Sequence, residues 1–173
     1  MNFLYSVLKM LDKIRPLKLV SAHCDIPCGI YDPHLAQMAA HTVYRMLTLI
    51  RDLKAPTPET SPADRAAYVQ TLARYTATKE EHAELCKKEL RVLWGDFFKP
   101  EHVEKFPELH DTVWKALKLA SKARQETPVE NGKQLIEAVN KIAEIFWKCK
   151  GIETMTVKAP YPTEESLVVP KLK

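Results

Sequence analysis

The sequence predicts an all-α protein built as an antiparallel four-helix bundle, preceded by an irregular N-terminal segment. Apolar residues recur at three- and four-residue spacings along four long segments, as they do on the buried face of an amphipathic helix. Short connections, most of them containing proline, separate these segments, which favours antiparallel neighbours. The four segments show no alternation of apolar and polar residues of the kind that a half-buried strand requires.

Residues 1–22 are either a short helix that stays in the protein or a leader peptide that is removed. Charged residues interrupt their apolar stretch, so they do not resemble a secretory signal. The stretch ends in Val20, Ser21 and Ala22, whose small side chains suit a peptidase site. Composition alone leaves both interpretations open.

Each predicted helix has a recognisable beginning. The first two begin at an N-cap residue followed by proline, Asp32-Pro33 and Ser61-Pro62. The third carries its apolar face from Leu109 onward, and the fourth begins at the capping box Thr127 to Glu130. Gly151 then ends the last helix. We therefore expect the bundle to span residues 34–151 and an extended C-terminal tail to span residues 152–173.

Two details of the apolar faces are specific enough to check. On the first helix the predicted buried face consists of Leu35, Met38, Ala39, Thr42, Met46, Leu49, Ile50 and Leu53. On the second helix Lys79 falls in the middle of an apolar face, and we expect it at a frayed layer or one that solvent reaches.

Composition excludes several classes of protein. The chain carries a net charge of +4, of which residues 1–22 contribute +3, so a nearly neutral body gives no reason to expect nucleic-acid binding. There is no glycine-rich phosphate loop and no apolar run of membrane-spanning length. The four cysteines do not have the dense spacing of a small disulfide scaffold. They favour a reducing, cytoplasmic location, with Cys86 and Cys149 as small core residues.

The stretch most suited to chemistry is His23-Cys24-Asp25-Ile26-Pro27-Cys28-Gly29-Ile30-Tyr31-Asp32-Pro33. It places an imidazole, two thiols and a carboxylate within six residues, on a segment that proline and glycine force to bend. Its spacing matches neither a zinc site with two ligand pairs nor a haem-attachment motif. A loop with two free thiols and a local Cys24–Cys28 disulfide are both compatible with the pattern.

Cleavage between Ala22 and His23 would change what this stretch can bind. The new amine and imidazole of His23, the amide nitrogen and thiolate of Cys24, and the thiolate of Cys28 would become available together. Two nitrogens and two sulfurs in a plane suit nickel(II) or copper(II), with the imidazole as an axial donor. While His23 is internal, its nitrogen belongs to a peptide bond and this donor set cannot form. Removal of residues 1–22 as a leader would thus turn residues 23–33 into a metal-binding hook.

The hook resembles that of nickel-containing superoxide dismutases. Further stretches share the likeness, namely Val92 to Pro100, His102, Glu104 to His110, and Ile145 to Trp147. The resemblance implies a four-helix subunit in a homohexamer, with one nickel ion per subunit. It also implies a leader-processing peptidase and a nickel-delivery factor. The implied activity is conversion of superoxide to dioxygen and hydrogen peroxide through a Ni(II)/Ni(III) ping-pong cycle.

The resemblance also assigns roles to individual residues. It implies His23, Cys24 and Cys28 as metal ligands. Tyr31 would stand beside the open face of the metal, Asp25 would support the hydrogen bonds of the hook, and Lys99 would attract the anion.

Three positions depart from the family pattern. A glutamate–arginine pair that often tethers the axial histidine is replaced by Ala39 and His82, and a tyrosine near the site is replaced by Phe97. His41 is a second histidine that could take the place of the missing pair. The alternative function is a non-catalytic helical-bundle interaction protein with a thiol- or metal-binding loop. A nickel or copper carrier that uses the same hook is a third possibility.

Overall fold

The computed structural model describes residues 29–172, and the leader and residues 23–28 of the hook lie outside this range. The described helices are α1 (His34–Asp52), α2 (Pro62–Val92), a π-helical turn (Leu93–Phe97), α3 (Pro100–Lys105), α4 (Leu109–Gln125) and α5 (Val129–Cys149). Two strands follow, β1 (Thr154–Lys158) and β2 (Ser166–Pro170). Within residues 29–172, every helix is too short or too polar to cross a lipid bilayer.

The four long helices form the predicted bundle. Helix α1 packs against α2 and α5, and α4 packs against α5 and α2, so each long helix has two neighbours. The core between them is closed, with fully buried side chains from all four helices, among them Leu47, Leu90, Val113 and Phe146. Cys86 is also fully buried there, which confirms its predicted role as a core residue.

Helix α1 begins one residue later than predicted and buries a different face. Asp32 accepts a hydrogen bond from the His34 N–H at 2.7 Å, and the helix starts at His34 rather than Pro33. Leu35 was predicted to be buried, but it is 56% exposed. The buried apolar residues are Ala36, Ala39, Ala40, Val43 and Leu47. This buried face is rich in alanine, because small side chains allow α5 to approach closely.

Two other local predictions were wrong. Lys79 does not lie at a solvent-reached layer, because it is only 3% exposed. Its Nζ donates to the carbonyl of Glu126 at 2.8 Å, just beyond the end of α4, where the helix dipole favours a cation. At the start of α5 no capping box forms, because Pro128 occupies the N-cap and makes no side-chain cap.

The C-terminal segment is a hairpin rather than an extended tail. Strands β1 and β2 pair antiparallel with Thr156 opposite Val168, and the hairpin packs on α5. Gln37 and Asn140 join it to the bundle, since the Gln37 side chain donates to the Val168 carbonyl at 3.0 Å and the Asn140 side chain donates to the Ser166 carbonyl at 2.8 Å. No local sequence pattern indicates these anchors, because both lie more than twenty residues away along the chain.

Candidate metal centre

The hook enters the described part of the chain at Gly29. The predicted site residues His23, Cys24, Asp25 and Cys28 lie before this point, outside the described residues. Gly29 has a φ of +79°, a conformation that residues with a side chain rarely adopt. Gly29 therefore takes a left-handed backbone conformation directly after Cys28, and Tyr31 follows two residues later.

Tyr31 joins the hook to the core through a chain of aromatic contacts. Its ring centroid lies 5.7 Å from that of Phe97, and Phe97 lies 4.4 Å from Phe146. Phe97 comes from the π-helical turn and Phe146 from the last turns of α5, so three separate elements meet here. Tilted rings at these separations are a favourable aromatic arrangement. The C-terminal part of the hook is thus held at a defined end of the bundle.

A lysine that the sequence analysis missed lies over the same rings. The Lys150 Nζ is 5.0 Å from the centroid of Phe146 and 5.9 Å from those of Phe97 and Trp147. An ammonium group over aromatic faces is attracted by the ring quadrupoles. Lys150 follows Phe146 by four residues, one helical turn, and that spacing was the available signal.

Lys99, the predicted anion-attracting residue, lies two residues after Phe97 and is exposed. Its backbone N–H donates to the His102 Nδ1 at 3.1 Å, and the His102 ring stacks on Phe97 at 5.5 Å. Trp94 Nε1 donates to His110 Nδ1 at 2.8 Å, which ties the π-helical turn to α4. The structure therefore brings Tyr31, Phe97 and Lys150 together, with Lys99 on the adjoining segment.

Ala39 and His82, which replace the family's glutamate–arginine pair, make their described contacts within the bundle. Ala39 is buried in the core and has no polar group to offer. His82 contacts the Thr78 carbonyl of its own helix at 3.0 Å. His41 contacts Thr163 at 2.8 Å, on the loop between the strands.

The described cysteines are poor sources of thiolate. Burial raises the pKa of Cys86 to about 12, and the nearby carboxylate of Glu89 adds to the effect. Burial also raises the pKa of Cys149, against the opposing charge of Lys105. Among residues 29–172, no three histidine, cysteine or acidic side chains are grouped so that they could hold a metal ion.

Comparison with known proteins gives one consistent family. The family model for nickel-containing superoxide dismutase matches residues 18–150. The chain is 39% identical over 135 residues to the nickel superoxide dismutase of Streptomyces seoulensis and 38% identical to that of Streptomyces coelicolor. Each alignment covers 78% of this chain and 93% of the relative.

Solved structures give the same result. A nickel-containing superoxide dismutase whose nickel ligation corresponds to the oxidised state has a TM-score of 0.64 and is 36% identical, covering 75% of this chain and 99% of that one. A native nickel superoxide dismutase has a TM-score of 0.63 at 36% identity, covering 74% and 99%. The hairpin formed by β1 and β2 lies beyond the residues that the family model matches.

Proposed function

The chain belongs to the nickel-containing superoxide dismutase family, and we propose that His23, Cys24 and Cys28 hold its nickel ion. The protein is an oxidoreductase that converts superoxide to dioxygen and hydrogen peroxide. Family membership argues against the alternative of a non-catalytic interaction protein. When bound, nickel supplies the Ni(II)/Ni(III) couple that alternately accepts an electron from superoxide and returns one.

The donor types of the hook fit nickel. Square-planar nitrogen and thiolate donors suit nickel(II), and anionic donors stabilise the higher oxidation state. The raised pKa values of Cys86 and Cys149 make these two thiols poor thiolate donors. His23 would contribute an amine nitrogen and an imidazole once residues 1–22 are removed.

The observation that carries this proposal is the contact of Tyr31 with Phe97, because it fixes the chain three residues after Cys28. With its ring held against Phe97, Tyr31 would limit access to the metal and order water or the small anion beside it. Asp25 would support the hydrogen bonds of the hook. Lys99 and Lys150 would raise the local concentration of the superoxide anion, as positive charge near a site does.

Maturation and assembly follow from the same proposal. A dedicated peptidase would remove residues 1–22 in the cytoplasm, and a delivery factor would supply nickel. The need for a free amine on His23 supports removal of the leader. The homohexamer is a prediction from the family resemblance, and we propose it for this chain on that basis.

A one-residue difference at the N-terminus tests the proposed donor set. We would release residues 23–173 and, as a matched control, residues 22–173 from the same fusion, load both with nickel, and measure superoxide loss. The control keeps every proposed side chain but displaces the amine by one residue. We expect its activity to be lower by at least about 100-fold.

Two outcomes of this test would separate the alternatives. Equal activity of the two folded chains would exclude the amine of His23 as a donor. Binding of nickel by residues 23–173 without turnover would favour a metal carrier. In a separate experiment, substitution of Cys24 or Cys28 by serine should abolish activity while the chain remains folded. Retained activity would exclude that thiol as a ligand.

A further inference from the structure

The C-terminal hairpin has two sheet edges, and the bundle covers one of them. Two backbone hydrogen bonds, one at each end of the β1–β2 pairing, show which residues bond across the hairpin. The Ala159 N–H donates to the Glu165 carbonyl at 3.0 Å, and the Lys171 N–H donates to the Glu153 carbonyl at 2.8 Å. Neighbouring residues of a strand point their backbone groups to opposite sides. The N–H and C=O groups of the even-numbered residues therefore point outward, away from the partner strand.

The outer edge of β2 is paired by side chains. The Val168 N–H donates to the Asn140 Oδ1 at 3.4 Å, and the Val168 carbonyl accepts from the Gln37 Nε2 at 3.0 Å. The Ser166 carbonyl accepts from the Asn140 Nδ2 at 2.8 Å. The buried side-chain amides of Gln37 and Asn140 therefore make the hydrogen bonds that a third strand would otherwise make.

The outer edge of β1 has no such cover. Among the described residues, none donates to or accepts from the outward backbone groups of Thr154, Thr156 and Lys158. Two of the devices that protect a free edge, a proline and a bulge, are also missing from β1. Its one charged side chain, Lys158, is paired with Glu164 at 3.2 Å.

We propose that β1 pairs with β1 of a second copy of this chain, antiparallel and centred on Thr156. This register places Thr156 opposite Thr156 of the second copy and Thr154 opposite its Lys158, so all three outward residues are used. A shift by one pair toward the N-terminus would require Ile152, whose N–H already donates to the Trp147 carbonyl at 2.9 Å.

The side chains of β1 favour a second copy as the partner. A threonine opposite a threonine is a favourable cross-strand pair. The two Lys158 side chains oppose threonines instead of each other, so no like charges meet. A shift toward the C-terminus would place the two lysines closer together. The contact would join two hairpins into a four-stranded sheet, by the strand addition that exposed edges commonly use.

Disulfide trapping tests the register in the full chain. In a hydrogen-bonded antiparallel pair, opposite Cα atoms are about 5.5 Å apart, which a disulfide can span. Thr156→Cys should therefore give a covalent dimer on mild oxidation. Thr154→Cys is the matched control, because its two copies would be separated by at least about 13 Å along the strands. The parent chain, oxidised in parallel, reports crosslinking by the native cysteines.

A proline substitution tests the contact without new cysteines. Thr156→Pro removes only an outward N–H, so the pairing of β1 with β2 is kept, whereas Thr156→Ala keeps the N–H. In sedimentation equilibrium Thr156→Pro should lower the average mass relative to Thr156→Ala, whatever assembly the helices form. Equal masses, or crosslinking of Thr156→Cys no greater than that of Thr154→Cys, would overturn the proposal.

Discussion

At the scale of single residues, the end of the bundle near the hook depends on Tyr31, Phe97 and Lys150. Phe97 contacts both the Tyr31 ring and the Phe146 ring, and the Lys150 ammonium lies within 6 Å of Phe97, Phe146 and Trp147. Among residues 29–172, no acidic side chain forms a salt bridge with Lys150. Its charge is therefore available to act on an anion that approaches Tyr31.

Replacing Lys150 should slow capture of superoxide. We expect Lys150→Met to lower kcat/KM by roughly 2- to 5-fold at low ionic strength, because one steering charge is lost. The difference should shrink as salt screens the remaining charges. Lys133→Met is the control, since it removes the same charge near the other end of α5, about 25 Å away. An effect independent of ionic strength would indicate a structural role instead.

His41 is the buried titratable group that links α1 to the hairpin. It is 3% exposed, and its Nδ1 lies 2.8 Å from the Thr163 hydroxyl. Its Nε2 is buried without a hydrogen-bond partner among the described residues. Burial lowers the pKa of His41 below 6.5, although the Ser166 backbone and the Glu165 carboxylate oppose this. The folded protein therefore favours the neutral imidazole.

Acid should therefore loosen the hairpin through His41. Because its pKa is lower in the folded state than in the unfolded chain, the unfolded chain binds more protons as the pH falls. The contribution of His41 to stability is full above pH 6.5 and is lost as the pH falls below 6.5 through the folded pKa. The free energy of unfolding of the parent should therefore decrease from pH 7.5 to pH 5 more steeply than that of His41→Gln, measured by denaturant titration. Parallel pH profiles would contradict this assignment.

At the scale of elements, α1 and α5 approach each other closely at Gly132. Gly132 of α5 is buried against α1, and a Cβ atom at this position would lie 2.8 Å from the Tyr44 Cα and 3.0 Å from the Leu47 Cδ1. The Tyr44 atom belongs to the backbone, so it cannot move aside as a flexible side chain would. Glycine here allows the two helices to pack closely along the alanine-rich face of α1.

Adding one methyl group at this crossing should separate the helices. We expect Gly132→Ala to destabilise the protein by roughly 1–3 kcal/mol through overpacking, although alanine is the better helix former. Thermal unfolding of Gly132→Ala against the parent measures the effect. Gly95→Ala is a matched control, because a Cβ there would meet no atom within 4 Å. A stabilised Gly132→Ala would mean that the helices do not approach this closely.

At the scale of the whole molecule, the proposed metal donors precede in sequence the helices that form the core. The core is closed by residues of the described helices, and no group of metal ligands lies among them. The proposed donors fall within six residues of one another in sequence, so the unfolded chain can offer the same donors. A ligand that binds both states adds little to stability.

Removal of nickel should accordingly abolish activity but leave the bundle folded. After treatment with a chelator we expect unchanged helical content by circular dichroism and a fall in Tm of less than about 5 °C. Readdition of nickel should restore activity. Loss of helical content together with nickel would contradict the separation of site and scaffold.

Local patterns in the sequence determined the helical class, the start of α2 at Ser61 and the family, because helix periodicity, capping and the hook motif depend on residues close along the chain. Tertiary structure decided which face of α1 is buried, since that face carries several apolar stripes and only packing against α5 selects one. It also decided the partner of Lys79, the amide cover of β2, and the meeting of Tyr31 with Phe97 and Lys150. Each of these joins residues far apart in sequence, and no local pattern specifies such a partner.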